Sequence, residues 1–102
     1  MYYTYMLRCE DNSIYTGITT NIERRIKEHI SKGKKCAKYT LKHSAKKLEI
    51  AWQSENRKLA SKLEFYIKTL SKKEKEELIV NNNLEELLAE KIEYNKYTKI
   101  SI

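Results

Sequence analysis

The chain has 102 residues, of which 40% are hydrophobic and 34% are charged, and its formal net charge is +7. This length fits a single domain, and the balance of apolar and charged residues excludes a disordered chain. No apolar stretch is long enough to cross a membrane, and the amino terminus lacks the basic start and apolar stretch of a secretory signal. We therefore expect a cytoplasmic protein in which the two cysteines, Cys9 and Cys36, remain free thiols.

The first predicted elements are two strands joined by a turn. Residues 2–9 are rich in aromatic and apolar side chains, which is typical of a buried strand. Residues 10–13 form a polar cluster that favours a turn, and residues 13–18 have the pattern of a second short strand. Strands this close in sequence pair antiparallel, so the chain should open with a β-hairpin.

A first helix is predicted after the hairpin. Thr20 and Glu23 have the spacing of a capping box, in which side chains satisfy the backbone N–H groups at the start of a helix. The apolar residues that follow recur every four positions and predict a buried stripe of three isoleucines: Ile22, Ile26 and Ile30. Gly33 is expected to end this helix.

A third strand and a second helix are predicted in the middle of the chain. Residues 48–53 alternate between apolar and polar side chains, which is the pattern of a strand with one buried face. Asn56 is placed to cap a helix over residues 57–70 through its side-chain oxygen. The inner side of that helix should carry four aliphatic residues: Leu59, Leu63, Ile67 and Leu70.

Two further helices complete the predicted order, β-β-α-β-α-α-α. Ser71 and Glu74 form another capping box, and Asn83 is placed to open a last, acidic helix. This order predicts an α+β fold in which helices flank a three-stranded, mostly antiparallel sheet. We expect a main domain over residues 1–80 and a C-terminal helical extension, residues 81–102, packed on it.

Positive charge is concentrated in the first three quarters of the chain. Residues 1–73 contain 17 Lys and Arg against 7 Asp and Glu, whereas residues 74–102 contain 4 against 7. The densest stretch, residues 24–47, has ten Lys and Arg and only Glu28 to oppose them. Such a block is typical of a surface that binds a phosphate backbone, although a lysine-rich surface that serves solubility has the same composition.

Tyrosines are found on both strands of the predicted hairpin. Tyr3 and Tyr5 share one face of the first strand because alternate residues point to the same side, and Tyr15 lies on the second strand before Gly17. Strand tyrosines most often pack in a core with the hydroxyl group reaching water, so this placement alone assigns no function.

Two positions on the predicted helices carry groups suited to chemistry. Arg25 and His29 are four residues apart, so they project from one side of the first helix, next to its isoleucine stripe. Glu64 stands alone as a carboxylate in the middle of an apolar and basic helix. A solvated helix face explains the first pair equally well, and a weak surface salt bridge with Lys68 explains Glu64.

Taken together, these residues resemble the GIY-YIG nuclease family. Tyr3-Thr4-Tyr5 and Tyr15-Thr16-Gly17 are similar to its two hallmark triplets, although the first lacks Gly and Ile and the second has Thr in place of Ile. The similarity continues through residues 19–25 with His29, residues 37–40 and residues 59–64. It spans about residues 2–79 and is closest to the small stand-alone bacterial members, with the excinuclease C nuclease domain and phage homing endonucleases more distant.

The resemblance implies a phosphodiester hydrolase that uses one divalent cation, Mg²⁺ with Mn²⁺ as a substitute. The residues that match the family's functional positions are Tyr5, Tyr15, Arg25, His29 and Glu64. Glu64 would bind the metal, and Arg25 would bind the scissile phosphate through its planar guanidinium group. Activation of the attacking water is left open among the two tyrosines and the histidine, because an unperturbed tyrosine is a poor base at neutral pH.

Lysines of the basic block are expected to bind the nucleic-acid backbone: Lys34, Lys35, Lys38 and Lys42. DNA is the favoured substrate over RNA, and DNA repair or processing is the pathway that the resemblance suggests. Two alternatives remain open, a nucleic-acid-binding module of the same fold without turnover and a protein-interaction domain suggested by the acidic tail. Nothing in the sequence indicates an oligomeric state.

Overall fold

The computed structural model describes residues 1–31 and 43–101. In these residues the elements are β1 (Tyr2–Cys9), β2 (Ile14–Thr19), α1 (Ile22–Ser31), β3 (Ala45–Ser54), α2 (Arg57–Lys68), α3 (Lys72–Asn81), α4 (Leu84–Leu88), a 3₁₀ helix (Tyr94–Lys96) and β4 (Thr98–Lys99). The fold is α+β, as the sequence predicts. None of the helices in the described ranges is long and apolar enough to cross a membrane.

The sheet is antiparallel and has the order β2-β1-β3-β4, so β1 is enclosed between two partners. Tyr5 lies opposite Gly17 of β2 on one side and opposite Ala51 of β3 on the other. Leu7 lies opposite Tyr15, and because alternate residues share a face, these side chains all belong to one side of the sheet. We call this side the tyrosine face, and α1 packs against it through Ile22 and Ile26.

The larger core lies on the opposite face of the sheet. Its buried side chains come from both strands and helices and include Met6, Ile50, Trp52, Leu63, Ile67 and Leu78. α2 packs there across β1 and β2. The hydroxyl group of Thr4 donates a 3.0 Å hydrogen bond to the backbone oxygen of Ala60, which fixes the position of α2 along β1.

The C-terminal segments complete this core. Leu84, Leu88 and Ile92 are buried in the same cluster as the side chains of α2. The hydroxyl group of Tyr97 donates a 2.7 Å hydrogen bond to the backbone oxygen of Leu59, and β4 then pairs with β3. The tail therefore covers the β3 side of the molecule.

The prediction of a three-stranded sheet is wrong by one strand. β4 has only two residues, Thr98 and Lys99, which pair with Gln53 and Trp52 of β3. Two residues are too few to show the alternation of polar and apolar side chains that indicates a strand. β4 forms because Tyr97 and the segment before it are held against the core, and this long-range packing leaves no local pattern in the sequence.

Capping side chains begin α2 and α3 as predicted. Asn56 accepts a 2.9 Å hydrogen bond from the backbone N–H three residues on, and Ser71 and Glu74 form a reciprocal capping box. Asn83 immediately precedes α4, but its side chain bonds to Glu86 and not to the helix backbone. The polar residues at the two longer helices therefore set where each begins.

The buried side of α1 differs from the prediction at both ends. The capping residue is Asn21, whose side chain accepts a 3.1 Å hydrogen bond from the backbone of Arg24, and the predicted Thr20 capping box is wrong. At the far end Ile30 is 52% exposed, and His29 is buried in its place. Both residues fit the helical repeat, and His29 takes the inner position because the hydroxyl group of Tyr5 bonds to it there.

We expect the Tyr97→Phe substitution to lower the free energy of unfolding by about 1 kcal/mol, because it removes one hydrogen bond from a largely buried hydroxyl group. Burial raises the pKa of Tyr97 to about 12, so the phenol keeps the proton that it donates throughout the neutral range. Urea denaturation monitored by circular dichroism measures the change. Tyr94→Phe is the matched control, because Tyr94 is 42% exposed; equal effects of the two substitutions would contradict the role of Tyr97.

Candidate active site

The centre of the candidate site is a buried pair formed by Tyr5 of β1 and His29 of α1. Their exposed fractions are 1% and 0%, and the hydroxyl oxygen of Tyr5 lies 2.8 Å from Nε2 of His29. The two rings meet edge to face with their centroids 5.8 Å apart. Both polar atoms are shielded from water, and a buried polar group without a partner is costly, so this bond holds α1 against the sheet.

Tyr15 of β2 forms an aromatic cluster with this pair. Its ring centroid is 6.2 Å from that of Tyr5 and 5.2 Å from that of His29. Tyr15 is only partly buried, so part of its side chain reaches solvent while that of Tyr5 does not. The cluster therefore has one phenol inside the protein and one at its surface.

Gly17 of β2 leaves the space in which the side chains of Tyr5 and Tyr15 lie. A Cβ atom at this position would lie 2.7 Å from the hydroxyl oxygen of Tyr5 and 2.9 Å from a ring carbon of Tyr15. Both distances are shorter than van der Waals contact allows. Gly17 has no positive φ, so the position requires a glycine for the space above it and not for its backbone conformation.

Arg25 lies on α1 beside Tyr5. Its Nη1 donates a 3.0 Å hydrogen bond to Oε1 of Glu28, one turn along the helix, and the Arg25 side chain is 20% exposed. Partial burial alone would lower the pKa of Arg25, but the bonds to Glu28 and to the hydroxyl group of Tyr5 raise it. Arg25 therefore remains a cation with a planar fork of N–H donors, which is suited to a phosphate group.

Burial sets the protonation states of Tyr5 and His29. Desolvation raises the pKa of Tyr5 above its usual range, and the neighbouring Tyr15 adds to this effect. Desolvation also lowers the pKa of His29 to about 4, and the positive charge of Arg25 lowers it further in the same direction. At neutral pH the pair is therefore a neutral phenol and a neutral imidazole, and neither carries charge into the interior.

An open depression of about 560 Å³ adjoins Arg25 near the end of β2. It is lined by three arginines, one glutamate and hydroxyl-bearing residues, among them Arg24, Arg25, Arg57, Glu28, Thr19 and Thr20. Three guanidinium groups against one carboxylate make the depression electropositive. Because its residues come from both α1 and α2, it crosses the β2 edge of the sheet from one face to the other.

Glu64 lies on α2, the helix that packs against the face opposite the tyrosines. Its side chain is 25% exposed and pairs with Lys68 at 3.4 Å, which is the salt bridge that the sequence allows as the ordinary explanation. The structure thus brings Tyr5, Tyr15 and His29 together with Arg25, whereas Glu64 approaches from the other side of the sheet.

The side of α2 that carries Glu64 faces the β2 edge. Arg57, Ser61, Glu64 and Lys68 recur at intervals of three and four and form one stripe beside the buried stripe of α2. Arg57, the first residue of this stripe, lines the depression that also contains Arg25. Glu64 and Arg25 therefore flank the same edge strand from its two faces.

The height of Glu64 along the sheet follows from the bond between Thr4 and Ala60. Glu64 is four residues further along α2, about 6 Å, which equals about two residues of a strand. Thr4 pairs with Ile18 of β2, so a displacement of two residues along β1 reaches the level of Thr16. Thr16 lies between Tyr15 and Gly17, so with α2 running in the direction of β1 the backbone of Glu64 lies at about the level of the tyrosine cluster, on the opposite face of the sheet.

The donor set fits a hydrated hard cation and not a metal enclosed by protein ligands. Within residues 1–31 and 43–101 no group of three or more His, Cys, Asp or Glu residues is close enough to hold a metal ion. A single partly exposed carboxylate such as Glu64 is the kind of ligand that Mg²⁺ uses when it keeps most of its water molecules.

The predicted backbone-binding residues Lys34, Lys35, Lys38 and Lys42 lie outside the described residues. The sequence prediction also missed two kinds of residue at this site. Glu28 holds Arg25 and was detectable from its spacing of three along the helix. Arg57 lines the depression, and nothing in the sequence distinguishes it from the surface lysines around it.

The low pKa of His29 predicts an acid-sensitive stability. Between pH 6.5 and about pH 4 the unfolded chain binds a proton at this position that the folded protein does not bind. The free energy of unfolding should therefore fall as the pH is lowered through this window, by up to roughly 3 kcal/mol. Urea denaturation at a series of pH values measures it.

His29→Gln should flatten the fall in this window, because a glutamine amide can keep a hydrogen bond with Tyr5 but does not titrate. His43→Gln is the matched control, because it removes a histidine that is not part of the buried pair with Tyr5. If the free energy of unfolding falls equally with pH in the original protein and in His29→Gln, His29 is not the cause of the fall.

We expect Gly17→Ala to destabilise the protein by about 1–3 kcal/mol, because the added methyl group overlaps the ring and hydroxyl group of Tyr5. The loss should be smaller when it is measured in a Tyr5→Phe background, which lacks the hydroxyl oxygen at 2.7 Å. Denaturation of the four proteins of this cycle gives the coupling. Strictly additive effects would show that the added methyl group does not meet the hydroxyl group of Tyr5.

Comparison with known proteins identifies similar chains. Residues 1–77 match the model of the GIY-YIG catalytic domain. The chain is 47% identical over 78 residues to a UPF0213 protein of Fusobacterium nucleatum, and this alignment covers 76% of each chain. It is 41% identical over 87 residues to a UPF0213 protein of Clostridium perfringens, covering 84% of this chain and 90% of that one.

One solved structure is also similar, the solution NMR structure of a UPF0213 protein from Bacillus halodurans. Its TM-score is 0.50 and its identity 41%, over 78% of this chain and 84% of that chain. The region that matches the family model contains both tyrosine-bearing strands, α1 and the whole of α2. With three quarters of its length matched, the chain belongs to the GIY-YIG superfamily, beside the small bacterial UPF0213 proteins.

Proposed function

We propose that the protein is a metal-dependent endonuclease that hydrolyses phosphodiester bonds of nucleic acid, with DNA preferred over RNA. The observation that carries the proposal is the position of Arg25, which borders both the aromatic cluster and an electropositive depression, in a chain of the GIY-YIG superfamily. DNA repair or processing is the role that we assign to this activity.

Arg25 is the residue that binds the scissile phosphate. A phosphodiester is an anion, so cleavage requires neutralisation of the charge that grows on its oxygens during attack. Glu28 holds the guanidinium group from one side, which reduces the conformational freedom that Arg25 loses when a phosphate binds. The planar fork can then contact two phosphate oxygens at once.

Tyr15 is the phenol that orients the attacking water. Its side chain reaches the surface beside Arg25, whereas Tyr5 is buried and its raised pKa keeps its proton in place. His29 acts as a positioning residue: its neutral imidazole holds Tyr5, and Tyr5 in turn packs against the ring of Tyr15. The buried pair thus supports the reacting groups without exchanging protons with substrate.

Glu64 is the residue that holds the divalent cation in this proposal. Its position level with Tyr15 and on the β2 side of α2 supports this role. When bound, Mg²⁺ or Mn²⁺ supplies Lewis-acid stabilisation of the phosphate and of the departing oxygen. The salt bridge of Glu64 with Lys68 is exposed and weak, so a cation can replace Lys68 as its partner.

Cleavage of labelled single-stranded and duplex DNA and RNA with Mg²⁺, with Mn²⁺ and with EDTA tests the function. We expect metal-dependent cleavage that EDTA abolishes, and a loss of about 100-fold or more in Glu64→Gln, because removal of a group that stabilises transition-state charge has at least this cost. Glu90→Gln is the matched control, since Glu90 is an exposed carboxylate outside α2.

The outcomes separate this proposal from its alternative. Unchanged cleavage in Glu64→Gln would overturn the metal role of Glu64. Salt-dependent binding without any metal-dependent product at high protein concentration would overturn the nuclease and favour a binding module of the same fold. Circular dichroism of each variant shows that the compared proteins are folded.

A further inference from the structure

Two arginines of the depression have no part in the proposed hydrolysis. Arg24 lies on α1 next to Arg25, and Arg57 begins α2 on the other side of β2. Both side chains are exposed. The two residues are 33 positions apart in sequence, so only the fold brings them to one surface, and local sequence gives no reason for an arginine at either place.

The charges around these arginines are unbalanced. Glu28 is the one carboxylate among the residues that line the depression, and it is already bonded to Arg25. In the part of the chain that the structure describes, no carboxylate forms an ion pair with Arg24 or Arg57. The hydroxyl groups of neighbouring Tyr2 and Thr20 add donors of the kind that contact phosphate oxygens.

The depression extends from Arg25 away from Tyr15. Its strand residues are Ile18 and Thr19 at the end of β2, whereas Tyr15 is near the beginning of that strand. Arg25 lies between the tyrosine cluster and the depression, because it borders both of them. A nucleic-acid strand whose scissile phosphate is at Arg25 therefore has room to continue along the depression.

From this geometry we propose that Arg24 and Arg57 form a second phosphate site, which binds the backbone phosphate next to the scissile one. The proposal rests on the proposed function for the location of the cut, but binding at this site does not require turnover. The two guanidinium groups approach from opposite faces of the β2 edge, so they fix the direction of the bound strand as well as its affinity. Arg57 is thus a substrate-positioning residue.

The test measures binding of fluorescein-labelled oligonucleotides in EDTA, where the metal-dependent reaction cannot occur. In fluorescence anisotropy we expect Arg57→Ala to raise the dissociation constant about tenfold, the cost of one charge-assisted contact. The slope of log affinity against log salt should fall by about 1, because one fewer phosphate is neutralised.

Lys58→Ala is the matched control, because it removes the same charge one residue further along α2. Lys58 projects about 100° around the helix from Arg57 and so points away from the depression. For Lys58→Ala the dissociation constant should change by less than about twofold, and the salt slope by much less than about 1. Equal effects of the two variants, or no effect of Arg57→Ala, would overturn the phosphate site and leave only a diffuse positive field.

A kinetic measurement separates this proposal from the nuclease itself. If the protein cleaves, Arg57→Ala should raise KM with little change in kcat, because it removes binding energy that is equal in the ground state and the transition state. If the protein binds but does not cleave, the anisotropy experiment still decides the role of Arg57. A protein that binds no oligonucleotide even at low salt overturns both proposals.

Discussion

The hydrogen bond between the hydroxyl group of Tyr5 and Nε2 of His29 ties the central strand of the sheet to α1. Arg25 lies about one turn before His29 on the same helix, so the position of its guanidinium group is set by this bond. Gly17 is part of the same constraint, because only a residue without a side chain allows Tyr5 to lie across β2. A buried structural contact thus determines where the guanidinium group of Arg25 lies at the surface.

The two tyrosines of the cluster differ in how deeply they are buried. Tyr5 is enclosed, and its raised pKa keeps the phenol protonated at neutral pH while it is bonded to His29. Tyr15 is only partly buried, so part of this residue reaches solvent. His29 follows the same logic, since its lowered pKa suits a neutral support better than a proton carrier at neutral pH. In the proposed function the groups that reach the surface are therefore the ones that contact the substrate.

The features that the sequence predicted well are those with local causes. The hairpin follows from its turn and its apolar strands, and the starts of α2 and α3 follow from capping residues such as Asn56 and Ser71. The errors have long-range causes. His29 replaces Ile30 on the inner side of α1 because its partner is 24 residues earlier in the chain. β4 and Arg57 depend in the same way on contacts between distant segments, which a pattern of neighbouring residues cannot report.

The two edges of the sheet differ in the segments and sites that lie beside them. The β3 side is occupied by β4 and by the helices that follow α2, whereas the β2 side carries the depression and the aromatic cluster. The region shared with the family model ends at residue 77, before the segments that cover β3. All the residues that line the depression therefore lie within the family region, whereas the last segments that cover β3 lie outside it.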